Sequence, residues 1–309
     1  MNNIVGNWHV KYRVNGGVWK DLASVGDKHY WYADPMLFEK NEKVYLFTEA
    51  FDKRIQKGKL AVSYLTDSEE FSKPEIIINL PYHLSYPCVW EEEGSVYMLP
   101  ETSQNRTLEI WRSKDDHLLK WERVGYLSRN VKYVDSTVLR IEDKTYIFCY
   151  SEENHHYATH VYRIEPKTLF MEEVFKESHQ ENIFRPAGNF FRNDEGKLIR
   201  PLQYNKKSYG EYIEFSEIES ITPLKERIFK RVSVQDLRKQ MGIKTDAENT
   251  HTYSVCNTVE IFDVLEKVHS TPQKILFCIR KARNAYFKLK HKEKIDGIEK
   301  LRRTKKNFL

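Results

Sequence analysis

Five short corners in this chain carry side chains that could do chemistry. Asp34 stands in "ADP", Ser85 and Tyr86 in "SYP", Asp135 in "VDS", Arg185 in "RPA", and Thr250 and His251 in "THT". Glu49 and Glu101 each lie fourteen residues after a corner proline, Pro35 and Pro87. His83 precedes the second corner, and Gln203 ends the fourth segment. Carboxylates accept hydrogen bonds from hydroxyl protons, and tyrosine rings stack on sugar faces, so the set suits a polyhydroxylated ligand. Two carboxyls whose surroundings push their pKa values apart could also work as general acid and base. Arg185 and His251 would hold an anionic group on the ligand.

These residues are far apart in the chain, so the fold must bring them together. Each corner opens a segment of the same design. The segments are 33-ADPMLFEKNEKVYLFTEA-50, 85-SYPCVWEEEGSVYMLPET-102, 134-VDSTVLRIEDKTYIFCYS-151, 185-RPAGNFFRNDEGKLIRPLQ-203 and 250-THTYSVCNTVEIFDVLEK-267. An alternating strand is followed by a short acidic or Asn/Gly turn and a second strand, which predicts a β-hairpin. The corners at Pro35, Pro87, Ser136, Pro186 and Thr252 recur at intervals of 52, 49, 50 and 66 residues. A period near ~50 with several strands per unit predicts propeller blades. Alternating stretches such as "KLAVSYLT" and "TLEIWRS" supply third strands, and "PEIIINL" and "WERVGYL" supply outer ones. The N-terminal "NWHVKYRVN" is placed to complete the last blade and close the ring, and "VSVQDLRKQMG" reads as a short helix before that blade.

The fold expected is therefore all-β: a five-bladed β-propeller over residues 1–270, with a short basic helical C-terminal tail over 271–309. In a propeller the innermost strands line the central channel, so the five corners should converge at one mouth. The bland readings stay open beside this one. Asp34 and Asp135 also suit turn caps, and His83 could simply brace a corner. Glu49 and Glu101 could pair with Arg54, Arg106 or Arg112, and Arg185 and Arg200 could serve as structural counter-ions.

Bulk properties narrow the class. With 309 residues, 19 Tyr, 16 Phe and 6 Trp, the chain can bury a large core and is rich in strand formers. The formal charge of +5 hides an uneven distribution. Residues 274–309 hold 13 Lys/Arg against 3 Asp/Glu, which leaves 37 against 42 in the body. The tail is accordingly expected to pack on the propeller, to touch an anionic membrane face or to bind another protein, and no nucleic-acid partner is expected. No apolar run approaches the ~18 residues of a membrane span, and no signal peptide precedes the first strand. Cys88, Cys149, Cys256 and Cys278 form no CxxC pair, so reduced structural thiols and a cytoplasmic location, peripheral to the inner membrane face, are expected. No cofactor or metal is expected, because phosphate loops and metalloprotease motifs are missing and the histidines of 155-HHYATH-160 alternate between strand faces.

Six ordered motifs carry a family resemblance: "YADPMLFEKNEKVYLFTEAF", "HLSYPCVWEEEGSVYMLPET", "YVDSTVLRIEDKTYIFCYS", "RPAGNFFRNDEGKLIRPLQ", "YGEYIEFSEI" and "NTHTYSV". Together they resemble the N-terminal domain of plant glucosamine inositolphosphorylceramide transferases and its bacterial relatives, linked to surface-polysaccharide synthesis. The resemblance runs from about Trp8 to about Asp263. It implies a five-bladed propeller distantly similar to family 43 and family 32 glycosidases. It also implies that sugar transfer belongs to a separate C-terminal domain, so a separately encoded glycosyltransferase is an expected partner.

By analogy with family 43 enzymes, Asp34 resembles the base and Asp135 the carboxylate that tunes the acid. The fourth blade, where those enzymes keep the acid, offers Arg185 instead. Glu101 is then the expected proton donor, with Glu49, His83, Tyr86, Arg185, Gln203 and His251 binding substrate. The ligand expected is a glycan, a sugar nucleotide or a lipid-linked saccharide. The functions expected are a carbohydrate-active propeller in surface-polysaccharide or glycolipid synthesis, a sugar-binding scaffold for a transferase, or a family 43-like hydrolase.

Overall fold

The computed structural model describes residues 6–22, 27–243 and 247–267. The expected basic tail lies outside the described residues. Among the described residues no helix is long and apolar enough to cross a membrane. Five antiparallel sheets follow one another. Their innermost strands begin with the corner segments Tyr30–Lys40, Ser85–Glu92, Tyr133–Ile141, Arg185–Pro186 and Tyr253–Cys256. The N-terminal strand Gly6–Val14 pairs beside Val259–Lys267, so the two ends of the ring share the fifth blade, as the alternating pattern of "NWHVKYRVN" predicts.

The apolar faces of the strands explain why the sheets stack around an axis. Each neighbouring pair of blades shares one buried cluster. Leu46 and Ala61 of the first blade meet Tyr12 and Ile261 of the fifth. Met36 and Phe47 meet Val89 and Met98 of the second, whose Cys88 and Ile110 meet Val138 and Ile147 of the third. Phe148 and Val161 pack against Phe190 and Leu198 of the fourth, and Ile213 and Phe215 against Tyr253 and Phe262 of the fifth. Five interfaces closing on themselves remove every exposed sheet face between blades. Cys88 and Cys149 are free and buried within this core.

The corners are where the ladder is deliberately irregular. In the first three blades the inner strand bulges between Ala33 and Met36, Ser85 and Cys88, and Val134 and Thr137. The bulged residue adopts left-handed φ each time: 50° at Asp34, 47° at Tyr86 and 47° at Asp135. Such a conformation costs a non-glycine residue roughly 1–3 kcal/mol, so it must be held from outside. A carboxylate of the preceding blade holds it. The Asp34 N–H donates to Asp263 (3.1 Å), the Tyr86 N–H to Asp34 (3.1 Å) and the Asp135 N–H to Glu101 (3.1 Å).

The fourth inner strand departs from the repeat. Only Arg185–Pro186 and Phe191–Arg192 pair with their neighbour, and the chain between them leaves the ladder. It does so because Gly188 presses against the backbone of the fifth blade. Its N–H reaches the Tyr86 hydroxyl at 2.7 Å, and the Tyr253 N–H reaches the Ala187 carbonyl at 2.7 Å. A Cβ at Gly188 would stand 1.7 Å from the Tyr253 carbonyl oxygen, and φ there is 135°. Gly188→Ala is therefore expected to lower stability by at least about 1–3 kcal/mol, the usual range for overpacking, with added backbone strain. Chemical denaturation checks this, and an alanine variant as stable as the parent would contradict the contact.

The helix Val234–Met241 precedes the fifth blade, as "VSVQDLRKQMG" predicts. Ser233 caps it reciprocally with Asp236, and Gly242 ends it in the left-handed conformation that glycine allows.

Candidate functional site

The corner residues gather into two adjoining charge clusters. In the first, His251 is clamped between two carboxylates. Its Nε2 lies 2.9 Å from Asp34 Oδ1, and its Nδ1 lies 2.9 Å from Asp263 Oδ2. Asp34 also accepts from Thr252 Oγ1 (3.2 Å) and the Tyr86 N–H, and Asp263 from the backbone N–H groups of His251 (3.0 Å) and Thr252 (2.9 Å). All three side chains are buried. Burial by itself disfavours the imidazolium, but Asp263 and Asp34 outweigh it and raise the His251 pKa to about 10. Burial likewise disfavours the Asp34 carboxylate, yet His251, the Tyr86 N–H and Arg185 bring its pKa below the usual value.

The second cluster is built on Arg185. Its Nε donates to Asp135 Oδ2, its Nη1 lies 3.4 Å from Glu152 Oε2 and its Nη2 lies 3.8 Å from Glu101 Oε2. The same Asp135 oxygen accepts from Gln203 Nε2 at 2.7 Å. Glu101 accepts from Ser103 Oγ at 2.6 Å as well as from the Asp135 backbone. Burial is the largest influence on Asp135. Arg185 opposes it, Glu101 and Asp34 reinforce it, and the carboxyl ends at about 7. Arg185 stays charged: burial opposes the charge, but Asp135 and its neighbours hold the guanidinium pKa well above its ordinary value.

Tyr209 and Trp8 join the clusters. The Tyr209 ring lies 5.3 Å from the Arg185 guanidinium and 5.1 Å from the His251 ring, and the Trp8 ring packs against His251 at 4.1 Å, tilted by 49°. Tyr209 keeps 37% of its surface accessible, although desolvation drives its phenol pKa well up. Tyr209 therefore meets solvent beside the Arg185 cluster, where the Glu101, Arg185 and Glu152 side chains keep 10%, 13% and 30% of their surface accessible.

The remaining expected residues are placed differently. Tyr86 is fully buried, its hydroxyl between Thr137 Oγ1 (2.7 Å) and the Gly188 N–H, so its phenol ties three blades and faces no solvent. Gln203 is fully buried behind Asp135, bonding the Pro186 carbonyl at 2.8 Å too. His83 and Glu49 form a pair of their own at 3.4 Å, with His83 Nδ1 accepting the Gly58 N–H at 2.9 Å. The arginines that could have paired with Glu49 and Glu101 go elsewhere: Arg54 to Asp52, Arg106 to Glu153 and Arg112 to Glu122. Arg200 is buried with Glu226 at 2.8 Å.

Three contributors escape sequence reasoning. Asp263 does so because the fifth hairpin is shorter, so an offset of fourteen from Thr252 lands on Glu266. Tyr209 heads the "YGEYIEFSEI" motif but lies in a loop with no counterpart in other blades. Glu152 ends a strand one turn from "HHYATH", which draws the eye to its histidines.

Asp34, His251 and Asp263 have ligand atoms within 4.8 Å of one another, the one such grouping among the described residues that could hold a metal ion. The imidazolium already supplies a cation between both carboxylates, so a metal ion would have to displace the charge of the chain's own histidine. Arg185 and His251, the two cations of these clusters, are each engaged by carboxylates of the chain itself, and five acids (Asp34, Glu101, Asp135, Glu152, Asp263) stand against the two bases.

The five-bladed ring is a fold that this chain shares with propeller glycosidases. The backbone resembles an exo-β-1,3-galactanase from Phanerochaete chrysosporium (TM-score 0.55, 10% identity, 84% of this chain and 67% of that one). It also resembles a family 117 glycoside hydrolase from Zobellia galactanivorans (TM-score 0.52, 12% identity, 87% and 93%). At these identities the likeness defines the fold alone. Over residues 18–259 the chain matches, and belongs to, the family described as glucosamine inositolphosphorylceramide transferase 1, N-terminal. The rice protein of that name (Oryza sativa) is 24% identical over 200 residues, which make up 62% of this chain and 26% of the relative. The Arabidopsis thaliana protein is 28% identical over 111 residues, 36% of this chain and 14% of that one. The chain thus spans about a quarter of the length of the rice relative it matches. Family and fold together support a carbohydrate-related role.

Proposed function

We propose that this propeller binds a glycan at the recess formed by Glu101, Arg185, Glu152 and Tyr209, in the service of surface-polysaccharide or glycolipid synthesis. The observation that carries the reading is the juxtaposition of accessible carboxylates with an exposed tyrosine face beside a buried set of ion pairs. Glu101 and Glu152 accept hydroxyl protons, Tyr209 stacks on the sugar ring, and Arg185 fixes the carboxylates in place. Asp34, held by His251, Thr252 and the Tyr86 N–H, acts as a positioning residue beneath the recess. Screening capsule, lipopolysaccharide and glycosylated sphingolipid-headgroup fragments by calorimetry tests this. Binding to at least one class is expected, weakened at least tenfold by Glu101→Gln or Tyr209→Ala with the melting temperature unchanged. Binding to none of them, or binding indifferent to both substitutions, would sink the site. A transferase acting on the bound glycan would be a separate partner, and co-purification is its test.

A second reading, turnover, is favoured by the place of Asp135: it lies between Arg185 and Gln203 beside Glu101, and burial pushes its carboxyl up to about 7, where it can both give and take a proton. In this reading the proton held by Asp135 passes through Glu101 to the leaving glycosidic oxygen, while water adds to the anomeric carbon as that C–O bond breaks and gives up a proton that restores the carboxyl pair. A panel of chromogenic arabinosides, xylosides and fructosides should then show hydrolysis that Asp135→Asn abolishes. No turnover across the panel leaves binding as the activity.

A further inference from the structure

A second concavity opens on the same end of the ring, between the second and third blades. It has a volume of about 630 Å³, within the usual range for small-molecule sites. Its lining comes from the ends of strands that also feed the recess: Arg106 and Lys132 on one side, Ser151 and Glu153 in the middle, and His155, His156 and Lys176 on the other. Tyr133, two residues before Asp135, and Tyr157 supply aromatic surface.

The charge of this groove is opposite to that of the recess. Arg106, Lys132 and Lys176 face a single lining carboxylate, Glu153. Lys132 gives its ammonium to the Glu152 carbonyl at 3.1 Å, and Lys176 forms no ion pair among the described residues. Arg106 pairs with Glu153 at 3.0 Å, but both side chains are 49% accessible, an exposed pair that a ligand can displace at little cost. The deeper histidines are fixed as wall. His160 is held by Glu173 at 2.7 Å and Ser151 at 3.1 Å, and His179 packs against the Phe184 ring at 4.4 Å and hydrogen-bonds Thr159 at 2.9 Å. The "HHYATH" histidines thus serve as a wall and a rim, and they gather no carboxylate set of the kind a metal needs.

Glu152 links the two sites. Its backbone carbonyl holds Lys132 in the groove while its side chain meets Arg185 in the recess. A ligand can therefore lay a neutral sugar over Tyr209 and carry an anionic group outward past Ser151. We propose that the groove binds the phosphate or diphosphate ester of an activated glycan. A phosphate ester carries more charge and more acceptor oxygens than a carboxylate, which suits two lysines and an arginine set around one cavity. The continuity argument rests on the glycan site proposed above; the charge of the groove stands without it.

Inorganic pyrophosphate is the probe. Calorimetry at low salt should show saturable binding by the full chain that weakens with ionic strength. Lys132→Glu with Lys176→Glu should reduce the affinity at least tenfold, whereas Glu101→Gln with Tyr209→Ala should leave it within twofold. Should the double charge reversal fail to fold, Lys176→Glu alone, at an exposed position, still predicts a loss of at least threefold. Absence of pyrophosphate binding, or binding indifferent to the groove substitutions, overturns the proposal. Uridine diphosphate and a short prenyl diphosphate then separate a nucleotide-linked from a lipid-linked source, and tighter binding of either over pyrophosphate supports it. Neutral-glycan binding without pyrophosphate binding rejects the groove alone. Pyrophosphate binding without any glycan binding rejects the recess alone.

Discussion

His251→Ala is expected to lower the free energy of unfolding near pH 6 by about 3–5 kcal/mol, the range for removing one partner of a buried ion pair. Its imidazolium lies 2.9 Å from a carboxylate oxygen on either side, and Asp34 and Asp263 would be left facing each other across the space it vacates. Trp8 would lose the ring it packs against at 4.1 Å, and with it part of the seam where the N-terminal strand closes the ring. The effect should depend on pH in a defined direction. The folded pKa of His251, about 10, lies above its ordinary 6.5. Its contribution is thus complete below pH 6.5 and fades as pH rises through about 10. Asp34 behaves oppositely. Its pKa is depressed below 3.8, so its contribution is complete above that value and fades only as pH falls through the lowered one. Guanidinium denaturation of both proteins from pH 5 to pH 10 should show the gap between them narrowing as pH rises. A constant gap would mean the histidine is neutral in the folded protein and the clamp is not ionic.

The clamp also shows which parts of the molecule are legible in the sequence. Blade number, inner strands and corner positions follow from a local hairpin pattern repeated near every ~50 residues, and local patterns survive in sequence. Even the ring closure by "NWHVKYRVN" can be anticipated, because an alternating strand with no hairpin partner needs a sheet edge. The convergence of Asp34, Asp135, Arg185 and His251 follows from the same logic. What each of them does there depends on partners from other blades, and these leave no local mark. Arg185 and His251 read as ligand cations, but three carboxylates surround the first and two the second. Tyr86 reads as a stacking platform, yet Gly188, 102 residues away, turns its hydroxyl into an internal tie. Asp263 was hidden by a shortened hairpin. The surplus of basic charge in the groove comes from three positions far apart in the chain, Arg106, Lys132 and Lys176, each unremarkable by itself.

Arg185 and Asp135 touch each other, yet their removal should have opposite consequences. Arg185→Met leaves Asp135, Glu101 and Glu152 without their shared cation in a largely buried site, and a loss of about 3–5 kcal/mol is expected. Asp135→Asn removes one carboxylate from a group in which acids outnumber the guanidinium. The oxygen that accepts both Arg185 and Gln203 can be supplied by the asparagine amide, so those hydrogen bonds persist. The folded pKa of Asp135, about 7, lies above its ordinary 3.8, chiefly through burial. Between those values the folded state therefore binds more protons than the unfolded one, and this carboxyl makes stability fall as pH rises. Asp135→Asn should cancel that fall, leaving the variant at pH 8 within about 1 kcal/mol of the parent or above it. If Asp135 carries the proton in turnover, the same variant should be inactive. Stability retained while activity disappears is the signature of a residue kept for chemistry at some cost to the fold. A loss of stability equal to that of Arg185→Met would instead identify Asp135 as a structural counter-ion, and the proton-carrying role would have to pass to Glu101.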